Sequence, residues 1–188
     1  MPGHVAKHLT TKELEAGLDE VLRAPTAAGT VELIVRRPAV GEREVLDEAV
    51  LDLGEGLLGD TWRVRGSRRT VDGSSHPDMQ LNVMSARVVD IVAAGDRGRW
   101  PLAGDQLYVD LDLSETNLPP GTRLALGSAV IEVTAEPHTG CAKFMGRFGV
   151  DAHRFVNTKP HRHLRLRGLC AKVVEPGAVR AGDAIRKL

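Results

Sequence analysis

Between residues 104 and 134 the chain runs GDQLYVDLDLSETNLPPGTRLALGSAVIEVT, a succession of short apolar runs cut by Gly-Asp, Pro-Pro-Gly and Gly-Ser turns. Alternating apolar runs of this length between turn residues form strands and hairpins. They leave little freedom to build anything but a β-rich domain. The same texture begins at Thr30, with VELIVRR, REVLDEAVLDL and the turn-rich EGLLGD, and returns near the C-terminus. The spacing predicts strands near 107–113, 123–126, 129–134, 164–174 and 184–187, with Gly127-Ser128 as a two-residue hairpin turn. In the run from Val31 to Arg36 the period of two is imperfect. Many short strands with glycine turns and two or three helices predict a mainly β fold, a β-barrel decorated by a few flanking α-helices.

Helical signals are fewer. Residues 10–23 carry a capping box, Thr10 with Glu13, and an apolar face of Leu14, Leu18, Val21 and Leu22, weakened by Gly17. Residues 1–29 therefore read as a helical extension packed on the barrel, with 30–188 as the barrel domain. The extension's apolar stripe is also a possible subunit contact. Residues 81–94 give a short strand and then a helix, with Ser85 as N-cap and Gly95 at its end. Phe144, Phe148 and Phe155 are all the phenylalanines of the chain and are candidate helix anchors. Residues 63–78 read as a long polar loop, with Arg65, Arg68 and Arg69 among glycines and serines.

With 25 Lys and Arg balancing 25 Asp and Glu, the formal net charge is zero. That balance argues against nucleic acid or a membrane surface as partner. The local distribution is uneven. From 143 to 172 there are eight Lys or Arg, three His and one acid, Asp151, a segment suited to an anionic small molecule or to a solvated face. Two cysteines make no disulfide scaffold, and no zinc-type spacing is present. No signal core or membrane-spanning run is expected, which points to a cytoplasmic protein with free thiols.

Chemistry converges on Cys141, in His138-Thr139-Gly140-Cys141-Ala142-Lys143, where a strand gives way to a loop. Loops at strand ends commonly carry function, and a neighbouring cation favours the thiolate that binds soft metals or attacks electrophiles. His138 could orient or deprotonate it. Cys170, within Leu169-Cys170-Ala171, reads as a buried core thiol, and His153, His161 and His163 as surface residues.

The ordered set GLLGD, Met84-Ser85, GDQLYVDLDLSETNL, LALGSAVIEVT, the lone C-x-K cysteine and RGLCAKVVEPGAVRAGDAI resembles the MOSC domain. This is the C-terminal domain of molybdenum cofactor sulfurases, also found in stand-alone bacterial proteins and amidoxime-reducing enzymes. The resemblance covers roughly 31–188. It implies a closed barrel with a cleft in which Cys141 ligates molybdenum or carries sulfur, with molybdenum cofactor (molybdopterin) as ligand. Ser85, Asn117, His138, Thr139, Lys143, Arg147, Arg65 and Arg69 are then candidate cofactor contacts, the cations for its phosphate. The resemblance departs at 63–77, which lacks a His-Gly-Gly pattern, and at Gly140, where the family has proline before the cysteine. The half of the sulfurases that binds pyridoxal phosphate is absent, so that cofactor is not expected. Three activities fit: reduction of N-hydroxylated compounds with an external electron donor, transfer of sulfur or cofactor as a non-catalytic carrier, and a Cys141–His138 thiol enzyme without molybdenum.

Overall fold

In the computed structural model, which describes residues 7–188, seven strands close into a barrel. The chain opens with helices α1 (Thr11–Glu15) and α2 (Leu18–Leu22). Strands β1 (Ala28–Arg36), β2 (Glu44–Leu46), β3 (Glu48–Asp52) and β4 (Gly56–Leu57) follow, then the single turn α3 (Trp62–Arg65). Next come β5 (Leu81–Ser85), α4 (Ala86–Val92), β6 (Leu107–Asp110), β7 (Arg123–Leu126) and β8 (Ala129–Val133). Helices α5 (Ala142–Phe148) and α6 (Val150–Val156) precede β9 (Leu169–Glu175), β10 (Gly177–Arg180) and β11 (Ala184–Lys187). Around the barrel the order is β1, β6, β5, β9, β8, β7, β11, and β11 pairs with β1 to close it. All pairings are antiparallel except β5 with β6. A parallel neighbour needs a crossover, and α4 supplies it. Strand β2 adds to the edge of β1, and β10, β3 and β4 form a separate three-stranded sheet. The 177–180 strand was not among the sequence expectations.

Strand alternation divides the apolar residues between two cores. Leu81 and Val83 of β5, Leu107 and Val109 of β6, and Leu169, Ala171 and Val173 of β9 fill the barrel. Met84 and Tyr108 point the other way and pack under the helices with Leu14, Val88, Phe144, Phe148 and Phe155. The imperfect period in β1 now has a cause. Val31 and Ile34 both belong to the barrel core, although an odd step separates them. The register with β6 slips between Val31 and Leu33, and such a bulge restores the inward face.

The capping box forms as expected, with Thr10 N–H donating to Glu13 Oε2 at 2.8 Å and Glu13 N–H to Thr10 Oγ1 at 3.4 Å. The single helix expected over 10–23 is instead α1 and α2, joined at Gly17. A Cβ there would lie 2.7 Å from Ile91 Cδ1, so the join packs flush against α4. Within the expected extension over 1–29, α1 and α2 occupy Thr11–Glu15 and Leu18–Leu22, β1 already begins at Ala28, and residues 1–6 lie outside the described residues. The expected long loop over 63–78 is broken by α3 and a 3-10 turn at Pro77–Met79. The Gly127-Ser128 turn joins β7 to β8, with Gly127 at φ 55°, where a side chain is disfavoured. No helix is long and apolar enough to cross a membrane, among the described residues.

Candidate functional site: a cationic cleft beside Cys141

After β8 the chain runs extended to Cys141, the exposed N-cap residue of α5. Two α6 neighbours hold the preceding glycine. Gly140 N–H donates to Asn157 Oδ1 at 2.9 Å, and Gly140 C=O accepts from His153 Nε2 at 3.0 Å and from Asn157 Nδ2 at 3.3 Å. A Cβ at Gly140 would sit 2.9 Å from Asn157 Nδ2. The glycine that replaces the family's proline therefore belongs to a clamp that fixes the thiol. His153, expected at the surface, is a half-buried member of it.

Cys141 opens into a cleft of about 180 Å³, which Arg37, Arg43, Arg65, Lys143, Arg147 and Arg167 also line. Two of these cations are neutralised from behind. Asp60, the last residue of GLLGD, accepts from Arg37 Nε at 2.8 Å and Nη2 at 2.7 Å, and is itself held by the backbone N–H groups of Arg37 and Trp62. Arg37 Nη1 also donates to Gly104 C=O at 3.0 Å. Arg167 donates Nη1 to both oxygens of Asp105, at 2.9 and 2.7 Å, and Nη2 to Ala103 C=O. It lies across the Phe144 ring, 5.0 Å from its centre, at cation–π range.

The other four cations have no such partner. Among the described residues, Arg43, Arg65, Lys143 and Arg147 form no ion pair with a carboxylate. Arg43 Nε is buried without a hydrogen-bond partner. Burial, then the charges of Arg147 and Arg37, press the Arg43 pKa below the usual guanidinium range. Arg65 is lowered by burial and then Arg37. Burial is the larger cause of both shifts, and neighbouring cations add to it. Cationic side chains without carboxylate partners are of the chemistry that pairs with oxyanions.

His138 and Asp105 form the floor. Nε2 of His138 lies 2.6 Å from Asp105 Oδ1. Burial, and then the Arg167 charge, lower the His138 pKa, disfavouring the charged ring. Asp105 is fully buried. Burial alone would raise its carboxyl, yet Arg167 and His138 hold it down at about 2. A carboxylate only accepts, so the His138 proton sits on Nε2 and Nδ1 remains an acceptor.

Of the sequence candidates, the structure brings Cys141, His138, Thr139, Lys143, Arg147 and Arg65 to this cleft. Three others go elsewhere. Ser85 accepts from Val88 N–H as the N-cap of α4. Asn117 closes a turn, donating Nδ2 to the carbonyls of Asp112 at 2.8 Å and Thr26 at 3.0 Å, and its Oδ1 accepts from Lys187. Arg69 turns to Glu136 at 2.5 Å. Arg63 is likewise committed to Glu55 and Arg154 to Asp151. Sequence reasoning missed Arg37, Arg43, Asp60, Asp105, Asn157 and Arg167. Asp60 and Asp105 stand in Gly-Asp pairs that read as turns, and Arg167 lay in the general basic run. Only pairing across the fold distinguishes them. Cys170 is buried on β9 with its thiol pushed up to about 12, chiefly by burial.

The fold and site define a closed barrel that presents one exposed cysteine in a cationic cleft. The MOSC domain family profile matches residues 74–186, and the chain belongs to that family, which is associated with the molybdenum cofactor. The fold is similar to that of the YuaD protein from Bacillus subtilis, at 18% identity over 84% of this chain and 94% of that one, with a TM-score of 0.63. It is also similar to YiiM from Escherichia coli, at 21% identity over 85% and 69% of the two chains, with a TM-score of 0.53. A structure described as a hypothetical protein matches at 23% identity, 86% and 68% coverage and a TM-score of 0.57. No curated protein matches the sequence.

Proposed function

We propose that the Cys141 cleft binds the molybdenum cofactor, with the Cys141 thiolate as the protein's ligand to the metal. The observation that carries this is the set of four cations, Arg43, Arg65, Lys143 and Arg147, gathered without carboxylate partners around one exposed thiol. Such donors suit a phosphate, and a thiolate suits a soft metal. Among the described residues no group of three or more His, Cys, Asp or Glu could hold an ion by itself. A metal here would take its remaining ligands from an organic cofactor. At about 180 Å³ the cleft suits the anionic end of such a molecule rather than its whole bulk.

When bound, the cofactor supplies a redox-active metal able to accept oxygen from an N-hydroxylated substrate. The chain's own work is positional and electrostatic. The Gly140 clamp fixes Cys141, and the four cations neutralise the cofactor's phosphate. Neutral His138 offers Nδ1 as a proton acceptor at the cleft floor, its ring held by Asp105. Electrons for a reduction come from an external donor, because the chain carries no flavin or iron–sulfur motif. A thiol enzyme relying on a Cys141–His138 pair is less well supported. The only side-chain partner of His138 among the described residues is Asp105, and it makes no hydrogen bond to Cys141.

The test is pterin content. Protein made in a host that synthesises the cofactor is oxidised after purification and its pterin fluorescence measured. The wild type should carry pterin, and Arg43→Ala/Arg147→Ala should lose most of it while remaining folded. Equal pterin in both, or none in the wild type, contradicts the proposal.

A further inference from the structure

A second cleft, larger than the first, opens on the other side of His138, Thr139 and Arg167, which line both. Its volume is about 390 Å³, within the range of small-molecule sites, about 300–1,000 Å³. One wall is apolar, made by Ala135, Pro137, Val156 and Leu169, and the rim carries Lys159, Arg162 and Arg165. The charges on this rim do not cancel. Of the two acids lining it, Glu115 and Glu136, Glu136 is engaged by Arg69, and Arg167 is neutralised by Asp105, which lies outside the cleft. Lys159, Arg162 and Arg165 then face Glu115 alone. Arg165 turns its Nη1 to the carbonyls of Leu118 at 2.7 Å and Leu113 at 3.4 Å. Lys159 and Arg162 are exposed and form no ion pair among the described residues. Arg167 belongs to the wall shared with the first cleft. It is almost wholly buried, and its Nε has no hydrogen-bond partner among the described residues.

We infer that this cleft is a binding site for a small organic carboxylate, whose apolar body lies against Val156, Pro137 and Leu169 and whose charge is held by Lys159 and Arg162. The apolar wall distinguishes such a ligand from an inorganic anion, and the cationic rim distinguishes it from a neutral ring. Because Thr139 and Arg167 are shared, a ligand here adjoins the Cys141 cleft through one wall. The inference goes beyond the cofactor reading and does not depend on a metal at Cys141.

Benzoate, benzamide and inorganic phosphate are titrated separately into the ¹⁵N-labelled full chain, and backbone amide shifts are followed by NMR. Benzoate should give saturable shifts at 134–139 and 156–169, with benzamide, its neutral match, about tenfold weaker. Lys159→Ala/Arg162→Ala should weaken benzoate about tenfold, whereas Arg43→Ala should leave its affinity unchanged. Three results would overturn the inference: no saturable benzoate shifts in these segments, benzamide binding as tightly as benzoate, or phosphate moving the same amides with equal affinity. Pterin retention is read independently, so the two sites can fail separately.

Discussion

Replacing Asp105 by Asn tests the electrostatic frame of the site with almost no change in shape. The carboxylate is completely buried and accepts from Arg167 Nη1 at 2.7 and 2.9 Å and from His138 at 2.6 Å. Charge centres about 4 Å apart at an effective dielectric near 20 attract by about 4 kcal/mol. Removing one partner of a buried pair strands the other, a loss of roughly 3–5 kcal/mol. Asp105→Asn should therefore lower stability in urea by that amount and the melting temperature by roughly 6–20 °C. Adding Arg167→Met removes the stranded charge and should recover much of the loss. The pH dependence follows the same contacts. The Asp105 pKa is depressed to about 2, so its stabilisation is present above its unfolded value near 3.9 and is lost as pH falls toward 2. His138 is also depressed, by burial and then Arg167. The unfolded chain takes up that proton first, so stability also declines as pH falls below about 6.5. Asp105→Asn should lack the lower step. A loss under about 1 kcal/mol, or a double variant no more stable than the single one, would refute the assignment of a buried, mutually dependent pair.

Other outcomes follow from single contacts. Cys141 is exposed and Cys170 buried with a raised pKa, so iodoacetamide should alkylate Cys141 in the native protein and reach Cys170 only on unfolding, as peptide mass spectrometry would show. Asn117→Ala should cost about 1 kcal/mol through the lost turn contacts and leave pterin retention unchanged; loss of pterin without loss of stability would put Asn117 back in the binding site. Ser85→Ala should lower the melting temperature through a lost cap worth roughly 0.5–2 kcal/mol. Gly29→Ala should impair folding, since its Cβ would fall 1.8 Å from the Asp110 carbonyl oxygen where β1 meets β6, and soluble yield with circular dichroism would register it.

The barrel was legible because its cause is local. Short alternating runs and turn glycines mark β7, β8 and β11 within a residue, and Thr10 and Ser85 announce helix starts through chemistry confined to one turn. The β1 bulge showed in the sequence only as a broken period, since its cause is the register with β6, where Val31 pairs with Val109 and Leu33 with Tyr108. Strand β10 escaped notice because Ala178 and Val179 offer too short a run between glycine turns. The site divided in the same way. Cys141, Lys143 and Arg147 are neighbours along α5, so reading along the chain found them together. Arg37 and Arg43, from the connection between β1 and β2, and Arg167, just before β9, reach the cleft from segments far from α5 in the chain. Whether an arginine is available to a ligand depends on the carboxylate across from it. Arg65 and Arg69, four residues apart, look alike in sequence, yet Arg69 is taken by Glu136 and Arg65 has no acid partner among the described residues.

The central claim is that Cys141 ligates molybdenum carried by the cofactor. Its most direct test is the molybdenum content per chain of wild type, Cys141→Ser and Cys170→Ser, all made in a cofactor-producing host and measured by plasma mass spectrometry. Serine is close in size to cysteine but a poor ligand for a soft metal. Wild type and Cys170→Ser should carry molybdenum, and Cys141→Ser, with unchanged circular dichroism, should lose it. Equal molybdenum in the two variants, or none in the wild type, would contradict the account.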